Sequence, residues 1–64
     1  MIQAEKLLKE VVGEKKTYSY GLEKLDCWKA WINFVDYGNW SGYGNSRIEA
    51  VKNMNEKIKD YETK

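Results

Sequence analysis

The chain has 64 residues, with 11 Lys and Arg against 10 Asp and Glu, so its formal charge is +1; 42% of residues are apolar and 14% aromatic. It contains no His, no Pro and a single cysteine, Cys27. These numbers exclude a second domain and an internal disulfide, and they leave no His for a metal site or a proton shuttle.

A chain this short buries only about 60% of its unfolded surface, so a small core needs help from self-association or from large aromatic side chains. Charge is evenly spread. Residues 1–17 carry four Lys and three Glu, and residues 47–64 carry five bases and four acids. No block of like charge marks a basic or acidic tail. No apolar run approaches membrane-spanning length, and the N-terminal residues carry no secretory signal. The reading is a soluble protein of a reducing, cytoplasmic compartment, the host cytoplasm if the chain is viral. Lys outnumbers Arg ten to one, which suits an AT-rich genome such as many phages have.

Taken in chain order, the pattern predicts one all-α (mostly helical) domain over 1–64, a three-helix arrangement completed by self-association. The first helix spans about 2–12, with Leu7, Leu8, Val11 and Val12 on one stripe and Gly13 at its C-terminal stop. Residues 16–20 are ambiguous. Thr17-Tyr18-Ser19-Tyr20 alternates like a short strand, or Ser19 caps the next helix. A lone strand has no partner within three helices, so an extended segment here implies pairing with a second copy. The central helix spans about 21–37. Leu22, Leu25, Trp28, Ile32 and Val35 form one stripe, and Cys27, Trp31 and Phe34 a second that serves self-association. Residues 38–46 read as a Gly/aromatic loop, with Gly38 ending the central helix. The third helix spans about 47–62. Ser46 and Glu49 have capping-box spacing, and Ile48, Val51, Met54, Ile58 and Tyr61 recur at helical intervals.

Eight of the nine aromatics lie between residues 18 and 43. Large rings fill small cores, yet Trp and Tyr also dominate binding hot spots. Trp40, Tyr43, Tyr37, Tyr18 and Tyr20 are the candidate partner-binding residues. Gly42-Tyr43-Gly44-Asn45-Ser46-Arg47 leads into a helix N-terminus, which makes Arg47 a candidate anion contact. Aromatics among glycines can also stack on unpaired bases, but residues 37–46 carry no charge to track a phosphate backbone. Asp36, Glu23 and Asp26 are poor catalysts by position, and Cys27 has no His to activate it. The expected function is therefore non-enzymatic: a small homodimeric or higher homo-oligomeric protein, without cofactor, metal or membrane. It occupies a partner protein's surface, as a phage accessory protein or an inhibitor of a host enzyme would. The alternative is a single-stranded nucleic-acid-binding module built on residues 37–47.

Overall fold

A computed structural model describes residues 3–63 and shows an α+β fold in place of the all-helical one. The order is α1 (Ala4–Val12), β1 (Thr17–Lys24), β2 (Trp28–Phe34), β3 (Gly38–Gly44) and α2 (Arg47–Glu62). The strands form an antiparallel meander, β1-β2-β3. Both helices pack on one face of it.

The outer elements follow the sequence pattern. In α1, Ala4, Leu8, Val11 and Val12 are buried, and the Gly13 amide donates to Lys9 O (2.9 Å) from a positive φ of 58°. Gln3 occupies the N-cap, so the helix starts two residues after the expected 2; Ile2 lies outside the described residues. In α2, Ser46 adopts an extended backbone and its Oγ accepts from the Glu49 amide at 3.2 Å. The Glu49 carboxylate returns to the Asn45 amide (3.3 Å) rather than to that of Ser46, as an ideal capping box would have it. The two helices run side by side in the same direction. Arg47 of α2 meets Glu5 near the helix starts (3.2 Å), and Lys15 meets Glu62 near the helix ends (3.6 Å).

The predicted central helix over 21–37 is instead a hairpin. Trp28, Ala30, Ile32 and Phe34 point to the helices, while Lys29, Trp31 and Asn33 point away. That is a period of two, the strand period. Leu25 and Val35, which extended the helical stripe, sit in the two turns and are 49% and 41% exposed. The predicted loop over 38–46 is mostly strand β3. Gly38 does take a positive φ (83°), but it closes the β2–β3 turn and ends no helix. The extended alternative for residues 17–20 holds and continues to Lys24, and its partner is β2 of the same chain. Tyr18 is the extra residue of a bulge, because Thr17 pairs with Phe34 and Ser19 with Asn33.

One core joins all five elements. Ile32 and Phe34 from the sheet meet Leu8 and Val11 from α1, and Val51, Met54 and Ile58 from α2. The glycines of β3 explain how α2 comes so close. Gly42 faces the helix, and a Cβ built there would lie 2.6 Å from Ala50 O and 2.7 Å from Met54 Cα, and nearer still to Met54 N. A Cβ on Gly44 would lie 2.7 Å from the Ala50 amide nitrogen. With no side chain at 42 or 44, and only a methyl at the fully buried Ala50, helix backbone rests on strand backbone.

Candidate functional site

The helices cover one face of the sheet and leave the other to solvent. Strand register fixes what that open face carries. Trp31 lies opposite Gly21 on one side and Ser41 on the other; Asn33 lies opposite Ser19 and Asn39; Lys29 lies opposite Glu23 and Tyr43. An antiparallel sheet with one solvated face normally turns plain polar residues outward. Here two large rings stand diagonally across neighbouring strands, Trp31 half-buried and Tyr43 47% exposed. Trp31 keeps part of its area from water by lying over Gly21, where an added Cβ would be 3.2 Å from the indole Cζ2. A Cβ at residue 21 would press the ring aside by a few tenths of an ångström. The charged pair on this face, Glu23 and Lys29, is balanced, so the platform is aromatic and close to neutral.

The structure distributes the five sequence-nominated aromatics over three places. Tyr43 is on the open face. Tyr37 and Trp40 are on the helix side, half-buried at the margin of the core. Trp40 lies 5.3 Å from Tyr61 between ring centroids and its Nε1 donates to Tyr37 O (3.1 Å). Tyr37 stacks obliquely on Phe34 (5.4 Å) and edge-on to Tyr61 (5.7 Å). Its hydroxyl donates to Glu62 Oε2 at 3.2 Å, and that hydrogen bond, with some desolvation and the adjacent negative charge, raises the phenol above its ordinary pKa of 10.0. Tyr18 and Tyr20 lie on β1 at the far edge of the sheet, 71% and 40% exposed.

Of the residues nominated for self-association, Trp31 is on the open face and Cys27 is a half-buried thiol in the β1–β2 turn, where the Leu25 amide donates to its carbonyl (2.8 Å). Phe34 is 1% exposed in the core of the single chain, so its ring is not available to a second one. The Arg47 guanidinium is already engaged. It donates to Glu5 Oε1 and lies 5.4 Å from the Trp28 ring centroid, with Lys24 Nζ 5.6 Å from the same ring.

The sheet edges differ. At β3, α2 side chains reach over the edge: Asn53 Nδ2 donates to Tyr43 O (2.6 Å) and Lys57 Nζ to Ser41 O (3.1 Å). Between them runs a shallow groove lined by Tyr43, Asn53, Glu56, Lys57 and Asp60. At β1, among the described residues, no hydrogen bond reaches the outward-facing groups of Tyr20 or Leu22. Among the described residues no group of three or more His, Cys, Asp and Glu side chains is placed to hold a metal, and no helix is long and apolar enough to cross a membrane.

Sequence reasoning missed Gly21, Lys29, Asn33, Asn39 and Ser41 as neighbours of Trp31 and Tyr43. A period-two reading of Trp28–Phe34 would have found the outward set on β2. Nothing local gives the register that brings Gly21 and Ser41 to Trp31. No protein-family model, no curated protein and no solved structure matches this chain.

Proposed function

We propose that this chain is a small non-enzymatic protein-binding protein whose contact surface is the open face of the sheet. The observation that carries the reading is the composition of that face: Gly21, Trp31, Asn33, Asn39, Ser41 and Tyr43. Tyr and Trp give large, stiff contact area with few rotors to freeze, and Ser, Asn and Gly give adaptable hydrogen bonding; this is the mixture that antibody paratopes use. Strand backbone holds these groups in a fixed array, which lowers the entropy lost on binding. The balanced charge of Glu23 and Lys29 fits a protein surface better than a phosphate backbone, which demands a cationic track. An accessory protein or an inhibitor that covers a larger enzyme is the class this size and surface suit.

The test is capture from a host lysate by immobilised wild type, by Trp31→Ala/Tyr43→Ala and by Lys52→Ala on the opposite side, with circular dichroism to confirm all three folds. The reading expects a polypeptide retained by wild type and Lys52→Ala and lost from the double variant. Equal retention by all three overturns it. In parallel, oligothymidylate is titrated at low salt. Tryptophan quenching that weakens steeply with added salt would replace the protein reading with the nucleic-acid one.

A further inference from the structure

We infer that two copies of this chain pair antiparallel along β1, with Gly21 facing Gly21 of the second copy on the twofold axis, so that the open face gains a second Trp31 beside the first. The inference stands apart from the protein-binding reading, since it concerns how the face is completed and not what docks on it.

The two edges of the sheet are guarded unequally. Unpaired strand edges invite pairing, and proteins guard them with charge, Pro or covering side chains. Asn53 and Lys57 guard β3. β1 has no Pro, and past its one bulge at Tyr18 it runs regularly from Ser19 to Lys24, with Tyr20, Gly21 and Leu22 in the middle. Its charged residues stand only at the end, Glu23 and Lys24, or just before the start, Lys15 and Lys16.

Strand register selects the axis. In β3, Ser41 and Tyr43 present their carbonyls outward, so Trp40 and Gly42 bond inward to Ile32 and Ala30. Alternation along β2 then gives Lys29, Trp31 and Asn33 to β1, where they meet Glu23, Gly21 and Ser19. The free amides and carbonyls of β1 therefore belong to Tyr20, Leu22 and Lys24. A twofold at Gly21 pairs Tyr20 with Leu22 of the second copy. The helix-side strip becomes a ring against an aliphatic chain. Ser19 meets Glu23 on the open face. Moving the axis one residue toward the N-terminus sets Gly21 against Ser19 of the second copy and Leu22 against Tyr18, the bulged residue. Moving it the other way sets Gly21 against Glu23 of the second copy and shifts the two Trp31 rings apart along the strands.

Pairing in this register also extends the open face. The two β2 strands would stand three strand spacings apart, about 14 Å. Each Trp31 ring already leans one spacing inward over its own Gly21. The two indoles then come within about one spacing, roughly 5 Å, close enough to stack. A side chain at residue 21 would crowd both rings.

Two measurements test this on the full chain. In sedimentation equilibrium the wild type forms a dimer at micromolar concentration. Tyr20→Lys, which brings like charges together near the axis, weakens the dimer about tenfold or more while leaving the monomer folded. In a Cys27→Ser background, Ser19→Cys/Glu23→Cys oxidises to a covalent dimer, whereas Thr17→Cys/Glu23→Cys does not. The two cysteines of one chain lie on the same strand and cannot reach each other. A wild type that stays monomeric, a Tyr20→Lys dimer as tight as wild type, or cross-linking by the second pair in place of the first overturns the inference.

Discussion

Replacing Gly42 by Ala adds one methyl group where the structure has no room for it. The new Cβ would sit 2.6 Å from Ala50 O and 2.7 Å from Met54 Cα, against an ordinary contact of 3.4 Å or more. All the atoms it meets are helix backbone, so no rotamer change relieves the overlap, and α2 as a whole must lift by nearly an ångström. That helix carries Ala50, Val51, Met54 and Ile58, each no more than 2% exposed, and their contacts with β2 and β3 loosen together. Overpacking of well-packed cores costs about 1–3 kcal/mol, and a backbone-on-backbone clash belongs at the upper end, about 3 kcal/mol. The stiffer unfolded chain of the Ala variant returns less than about 1 kcal/mol. A domain of this length has a total stability of about 3–10 kcal/mol, so the variant loses a large share of it or unfolds. Urea titration followed by far-UV circular dichroism measures this, and the melting temperature should fall by more than about 10 °C, at about 4–8 °C per kcal/mol for small domains. Gly38→Ala is the control. It meets nothing within 4 Å and suffers only from its positive φ of 83°, so its loss is smaller. A Gly42→Ala protein within about 0.5 kcal/mol of wild type would refute the close approach of α2 to β3, since that is the scatter of ordinary surface substitutions.

Further outcomes follow from the caps, charges and rings. Ser46→Ala removes the acceptor of the Glu49 amide and should cost about 1 kcal/mol in the same urea titration. Arg47→Ala breaks an ion pair whose side chains are 55% and 57% exposed and takes the guanidinium from the Trp28 ring; together these should cost about 1 kcal/mol, and less in high salt. Tyr37 titrates above its ordinary value because its hydroxyl is held by Glu62, so the folded state favours the protonated phenol. That contribution is complete below about pH 10 and is lost as pH rises through the higher folded value. A phenolate absorbance titration should show a late tyrosine that vanishes in Tyr37→Phe and moves earlier in Glu62→Gln; persistence of the late step in Tyr37→Phe would contradict the contact.

The ends of this fold are legible in the sequence and the middle is not. Local chemistry sets α2, where Ser46 and Glu49 mark the start and Ile48, Val51, Met54 and Ile58 mark the face, and it sets the stop of α1 at Gly13. The hairpin is disguised by three features. Trp31 is large and apolar yet faces solvent, which hides the alternation of Trp28–Phe34. Leu25 and Val35 place exposed apolar residues in turns. Gly38, Gly42 and Gly44 give β3 the composition of a loop, although Gly42 and Gly44 are there because α2 leaves no space for side chains. That last constraint is tertiary and has no local signature. The same holds for the site: Trp31 and Tyr43 stand out as rings, but their shared face depends on a register that only strand pairing reveals.

Hydroxyl-radical footprinting of the chain free and bound to its captured partner tests the contact surface most directly. The account predicts that Trp31 and Tyr43 lose most of their reactivity on binding, while Tyr61, on the helix side, keeps its own. Unchanged reactivity at Trp31 and Tyr43, with protection at Tyr61 or along α2, would place the contact on the opposite side of the molecule and contradict the account.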